Sequence, residues 1–273
     1  MPNSLEDLRQ VQLLIFDLDG TLIDSGLDLA LSVNAMREKM GLQRLPHEEI
    51  ATFIGHGVLN LVRRSLGEEA PEEKVQEALN FFLAYYREHM LDNTVPYPGV
   101  VPALDELKSR HLAVLTNKPV RFSELILEGL SMSSYFRYVY GGNSFEQKKP
   151  DPVGANKLMA DFQVPPRETM IVGDSDTDVL TGRNAGIWTC GVTYGFGAYT
   201  LEKAPPDFII DDLLHLPRML DGKQKAAGSR QWAGGQKAGE SKRAIFCALC
   251  RHQTIEWGGP QATKAGSCKF PMR

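Results

Sequence analysis

Two carboxylates stand two residues apart in Phe16-Asp17-Leu18-Asp19-Gly20-Thr21. Like charges so close repel one another, and the arrangement makes sense where a cation sits between them. Three more polar clusters have complementary chemistry. Thr116-Asn117-Lys118-Pro119 offers a hydroxyl and an amide. Lys148-Lys149-Pro150-Asp151-Pro152 offers cations. Gly173-Asp174-Ser175-Asp176-Thr177-Asp178 offers three more carboxylates. An Asp pair, a hydroxyl, a lysine and an acidic cluster are the inventory of a phosphoryl-transfer site. Asp17 is the candidate nucleophile, since a carboxylate attacking phosphorus in line splits one difficult hydrolysis into two easier steps. Asp19 is the candidate acid–base residue, and Mg²⁺ is the cation suited to carboxylate and phosphate oxygens. Gly20 and the turn after it could turn backbone N–H groups toward a phosphate.

Each cluster has a plainer reading. Asp-Leu-Asp-Gly alone also describes a strand-to-turn exit. Thr116 could cap the next helix, Lys148 and Lys149 could be solvated surface charges, and Asp178 could simply favour a helix N-terminus.

The elements around these clusters argue for function. Val11 to Phe16, Leu112 to Leu115, Tyr138 to Tyr140 and Met170 to Val172 are short apolar runs that predict buried parallel strands. Every cluster follows such a run, and open α/β sheets place their chemistry at the carboxyl ends of strands. Helices are predicted at Val101–Ser109, Arg121–Leu130, Pro152–Phe162, Asp178–Ala185 and Leu213–Leu220. Ile187–Val192 and Phe208–Ile210 complete the strands, and Gly186 suits a helix C-terminus. Strand–helix alternation predicts a Rossmann-like, doubly wound parallel sheet. Between the first strand and the rest lies a helical stretch, with helices at Leu27–Met40, Val58–Leu66 and Glu72–Met90. Ser25 is the expected N-cap of the first. Val75, Leu79, Phe82 and Tyr86 form one face of the last, and core packing is their expected role.

The four clusters, in order and spacing, resemble the four motifs of the haloacid dehalogenase superfamily in its phosphatase branch, from about Val11 to about Leu220. Thr116-Asn117-Lys118-Pro119, Gly55-His56-Gly57 and Val192-Thr193-Tyr194-Gly195 are similar to the phosphoglycolate phosphatase subgroup. The resemblance implies a catalytic core over residues 1–24 and 95–221, with a mobile helical cap over 25–94. It implies that Mg²⁺ is held by the side chains of Asp17 and Asp174 and the backbone carbonyl of Asp19. It favours phosphate chemistry over dehalogenation, because the dehalogenase branch lacks an Asp at the Asp19 position. Lys149, chosen over Lys148 by the family's Lys-Pro pairing, is expected to neutralise the phosphoryl group. Thr116 is expected to bind a phosphoryl oxygen, with Asn117 beside it. Asp178, or Asp176 in its place, is expected to orient Lys149 or metal-bound water. Gly55 could approach the substrate, or mark a plain interhelical turn. Arg63 or Arg64 could bind a substrate carboxylate, or be merely exposed.

The implied reaction is Mg²⁺-dependent hydrolysis of a small phosphomonoester, with 2-phosphoglycolate preferred and pyrophosphate possible as an alternative. A β-phosphoglucomutase-like phosphomutase is the other enzyme reading. A polyanion-binding protein using its basic C-terminal part is the non-enzyme reading.

Composition sets further bounds. The chain has 273 residues, 42% hydrophobic and 23% charged, an ordinary globular balance. No apolar run approaches the roughly 18 residues that span a bilayer, and the N-terminus lacks a signal-peptide pattern, so a cytoplasmic location is expected. Residues 222–273 contain ten Lys or Arg and two Asp or Glu, whereas residues 1–221 contain 20 and 32. The acidic body argues against nucleic-acid binding there. The basic segment is rich in Gly, Lys, Gln and Ala, and is expected to be a disordered, even read-through, extension. Its Cys247, Cys250, His252 and Cys268 make an incomplete zinc pattern.

Overall fold

The computed structural model describes residues 7–222. The basic segment and its cysteines lie outside the described residues.

The strands are β1 (Leu13–Phe16), β2 (Ile23–Asp24), β3 (Val95–Pro96), β4 (His111–Leu115), β5 (Tyr138–Tyr140), β6 (Thr169–Gly173), β7 (Trp188–Val192) and β8 (Phe208–Ile210). The helices are α1 (Gly26–Lys39), α2 (His47–Ala51), α3 (Val58–Leu66), α4 (Glu72–His89), α5 (Val100–Leu107), α6 (Val120–Gly129), α7 (Val153–Phe162), α8 (Asp176–Ala185) and α9 (His215–Leu220).

Six strands form one parallel sheet in the order β5-β4-β1-β6-β7-β8. β1 is central, with Phe16 paired to Val114 on one side and Val172 on the other. The chain leaves β1 for β4 and β5, then crosses back to β6 on β1's other flank. That reversal opens a crevice at the carboxyl ends of β1, β4 and β6. Side chains alternate along these strands. Leu14, Phe16, Val114, Met170 and Val172 pack with Leu104 of α5, Ile126 of α6 and Leu216 of α9. Leu13, Ile15, Ala113, Leu115 and Ile171 pack with Ala155, Leu158 and Met159 of α7. The sheet is therefore covered on both faces, which is why its strands are apolar runs with no polar alternation.

Helices α1–α4 lie between β1 and β4. β2 and β3 pair antiparallel at the two ends of this segment, Ile23 opposite Pro96 and Asp24 opposite Val95. Buried Asp28 in α1 ties the same junction. Its carboxylate accepts from the Asn93 N–H (3.0 Å), Asn93 Nδ2 (2.8 Å), the Thr94 N–H (2.8 Å) and Thr94 Oγ1 (2.7 Å). Val33, Met36, Leu61, Val75 and Phe82 from the helices join the same apolar cluster as Leu14 and Phe16.

Two local expectations change. Ser25 occupies the N-cap position of α1 but makes no cap bond; its hydroxyl donates to Asp19 Oδ1 at 2.5 Å. The stripe on α4 buries Val75, Ala78, Phe82 and Tyr86, with Leu79 only partly covered.

Candidate active site

The tips of β1, β4 and β6 and the loop after β5 converge in the crevice. Asp17 follows β1 directly and is 6% exposed. Its Oδ1 lies 2.8 Å from Lys149 Nζ, an ion pair without hydrogen-bond alignment, and this oxygen has no hydrogen-bond partner among the described residues. Lys149 Nζ also reaches Asp178 Oδ1 at 2.6 Å. Asp178 Oδ2 accepts from the N–H (3.1 Å) and hydroxyl (2.7 Å) of Ser175, at the start of α8. Both Asp178 oxygens are thus engaged, and Asp178 holds the lysine. Asp176 does not reach it.

Asp174, at the end of β6, completes the acidic cluster. Carboxylate oxygens of Asp17, Asp174 and Asp178 lie within 4.8 Å of one another, a group that can hold a metal ion. Gly197 N–H donates to Asp174 Oδ2 at 2.8 Å. Burial pushes the Asp17 carboxyl up to about 6, against the pull of Lys149, with Asp178 adding repulsion. Burial, then repulsion from Asp178 and Asp17, holds Asp174 well above the carboxylate range. Burial also opposes the Lys149 charge, but Asp17 and Asp178 outweigh it and hold the ammonium above its usual range. Buried carboxylates that cannot all ionise comfortably, and an oxygen without a donor, are what a bound cation would relieve.

Gly20 makes the close packing possible. Its φ is +85°, and a Cβ there would stand 2.3 Å from Asp174 Oδ2. Only glycine meets both demands.

Asp19 faces another way. Lys118 Nζ holds both its oxygens, at 3.0 and 3.1 Å, and Ser25 adds its hydroxyl. The same ammonium donates to Tyr86 Oη of α4 at 2.8 Å. Burial opposes the Lys118 charge, but Asp19 and Tyr86 outweigh it and hold the ammonium above its usual range. Burial likewise pushes the Tyr86 hydroxyl up to about 12. Each carboxylate of the Asp17/Asp19 pair therefore has its own lysine.

Thr116, at the tip of β4, is buried, and its Oγ1 accepts the Lys118 N–H at 3.2 Å. That contact shapes the turn and leaves the hydroxyl proton available. The Asn117 carboxamide is fully used as a bracket. Its Oδ1 accepts the Lys149 N–H (3.0 Å), while Nδ2 donates to the carbonyls of Lys149 (3.2 Å) and Gly55 (2.9 Å). Gly55 reaches the site through that carbonyl; its φ of +102° explains the glycine, since a Cβ there would meet nothing within 4 Å. Lys148 is exposed. Arg63 pairs with Glu72 at 2.6 Å, and Arg64 covers the Phe53 ring and donates to the Thr52 carbonyl, so neither faces the crevice.

Lys118, Tyr86 and Ser25 are the members that sequence reasoning missed. Lys118 was visible within its tip cluster. Tyr86 carried the signal of any buried tyrosine, whose hydroxyl needs a partner. Above these groups lies a cavity of about 50 Å³, lined by Asp17, Asp19, Thr116 and Lys118 from the sheet side and by Phe53, Leu61, Phe82, Leu83 and Tyr86 from α1–α4 and their turns.

A family model for haloacid dehalogenase-like hydrolases matches residues 14–192. The chain is 35% identical over 219 residues to a phosphoglycolate phosphatase of Vibrio vulnificus, covering 76% of this chain and 95% of that protein. It is 38% identical over 218 residues to phosphoglycolate phosphatase 1 of Pseudomonas aeruginosa, covering 76% and 79%. A crystal structure of a predicted phosphoglycolate phosphatase from Haemophilus somnus superposes with a TM-score of 0.74 at 32% identity, covering 79% of this chain and 99% of that one. Sequence, sheet order and relatives agree, and the chain belongs to the haloacid dehalogenase-like hydrolases as a phosphatase.

Proposed function

We propose that the protein is a Mg²⁺-dependent phosphomonoesterase acting through an aspartyl-phosphate on Asp17, with 2-phosphoglycolate as its preferred substrate. The observation that carries this reading is the separation of the two carboxylates of one turn. Asp17 has an orphaned oxygen beside Lys149, whereas Asp19 is held by Lys118 and Ser25. Different surroundings suit different roles, a nucleophile and an acid–base residue.

In the first step the Asp17 carboxylate attacks phosphorus in line. The bond to the leaving oxygen breaks, and Asp19 gives that oxygen a proton. In the second step Asp19 takes a proton from water, whose oxygen attacks the same phosphorus. Inorganic phosphate leaves and the Asp17 carboxylate is restored. Lys149 offsets charge on the transferring group, Asp178 fixes Lys149, and Thr116 donates its hydroxyl to a phosphoryl oxygen. Asn117 keeps the Lys149 loop and the Gly55 turn in register.

Asp17, Asp19, Asp174 and Asp178 outnumber Lys118 and Lys149 by two charges, which suits a divalent ion. An all-oxygen donor set suits Mg²⁺. Asp17 and Asp174 would hold it by their side chains and Asp19 by its backbone carbonyl. When bound, Mg²⁺ neutralises charge so that a carboxylate can meet a phosphate dianion.

We assign residues 25–94 as a cap over a core formed by residues 1–24 and 95–221. Ser25, Tyr86 and the Gly55 turn reach the strand tips from it. The cavity suits a small leaving group, since about 10–15 Å³ of such space accommodates one water.

Phosphate release from 2-phosphoglycolate, hexose phosphates and pyrophosphate tests the reading. Release is expected with Mg²⁺, to be lost in EDTA and to fall by at least about 10³-fold in Asp17→Asn. Retained turnover in pure Asp17→Asn protein would refute the nucleophile.

A further inference from the structure

Lys149 and Lys118 are the two buried ammoniums of the site, and phosphoryl chemistry accounts for only one. Lys149 is locked between Asp17 and Asp178. Lys118 is the one cation among the described residues lining the cavity, whose inserted-helix wall is mostly apolar. It stands on the Asp19 side, where the leaving oxygen must lie if Asp19 is to protonate it. The carbon part of the substrate therefore extends toward Lys118, Phe82 and Tyr86.

We propose that Lys118 and Tyr86 form the subsite for an anionic group on the leaving group, a carboxylate one carbon removed from the ester carbon-oxygen bond. The inference rests on the phosphatase reading and adds which residues select the substrate. Tyr86 Oη accepts from Lys118, so its own O–H remains a donor. A charged donor from the tip of β4 and a neutral donor from α4, 2.8 Å apart, then converge on one anion. When Lys118 turns to a ligand, Asp19 is not left without a donor, because Ser25 keeps its bond to Asp19 Oδ1. The apolar surroundings strengthen the contact and offer nothing to a neutral polar group in its place.

The test compares kcat/KM for 2-phosphoglycolate with that for 2-hydroxyethyl phosphate, which has a neutral hydroxymethyl group in place of the carboxylate. Wild-type protein is expected to favour the carboxylate at least about 10-fold. In Lys118→Met this ratio should fall about 10- to 100-fold, the worth of a hydrogen bond to a charged group. Lys118→Arg should keep more of the ratio than Lys118→Met, and Tyr86→Phe should lower it a few-fold. Thermal unfolding verifies each variant's fold, and Lys118→Gln stands in if Lys118→Met does not fold. Equal losses on both substrates would overturn the proposal and leave Lys118 serving Asp19 alone. So would a wild-type enzyme that releases phosphate equally from both. Absence of release from every ester would instead overturn the phosphatase reading itself.

Discussion

At the scale of single residues, the four strand tips were legible in the sequence because each contains chemistry where an apolar run stops. The sharing of lysines was not. Lys118 meets Tyr86 only because α4 returns over the tip of β4, and Ser25 turns from a helix end to Asp19 for the same tertiary reason. Gly20→Ala should lose activity and about 1–3 kcal/mol of stability, since a side chain there needs an unfavourable φ and the space of Asp174; chemical denaturation and phosphate release would show it. The raised carboxyl of Asp17 also predicts a pH signature. Between its unfolded value near 3.8 and about 6, the native state binds the proton that the unfolded state has released. Its contribution to stability therefore declines as pH rises across that window and is level above it. Without metal, Asp17→Asn should be more stable than wild type at pH 7.5, and the advantage should vanish near pH 4. Mg²⁺ should raise the wild-type melting temperature at pH 7.5 and have much less effect at pH 4.5, where protons occupy the same oxygens.

At the scale of elements, α3, β5 and β8 have the bounds expected from the sequence, and most others shift by a residue or two at their ends. Three elements were not visible. The helix α2 has five residues and buries only Ile50, too few for a helical period to emerge. The strands β2 and β3 have two residues each and exist only as one another's partners. Helix α1 hides its role differently, since it buries Asp28, Ser32 and Asn34 among its apolar residues. Asp28 accepts four hydrogen bonds from Asn93 and Thr94, so Asp28→Ala should cost about 2–4 kcal/mol by leaving those donors unmatched. Urea denaturation measures that loss, and a change under 0.5 kcal/mol, the range of an ordinary surface substitution, would mean that water replaces the carboxylate.

At the scale of the molecule, every proposed site residue lies between Asp17 and Asp178. Removal of residues 223–273 should therefore leave phosphate release within about two-fold of the full chain, a change under 0.5 kcal/mol in the barrier. A larger loss would place part of the working enzyme in the basic segment. The doubly wound sheet was legible as a whole because strand and helix alternate after Tyr97, and the helical stretch stood out because it interrupts that alternation.

The short ladder between β2 and β3 has one more consequence. Strand partners stand about 5 Å apart, so Asp24 and Val95 end where they began, beside each other. To the folding sheet, everything between them is one closed loop. The entropy of closing a loop grows only with the logarithm of its length, and a doubling adds about 0.6 kcal/mol. The sheet is thus nearly indifferent to how many residues the excursion contains. Helices of different length and lining could be exchanged at this point, with the strand tips kept and the wall of the cavity above them rewritten.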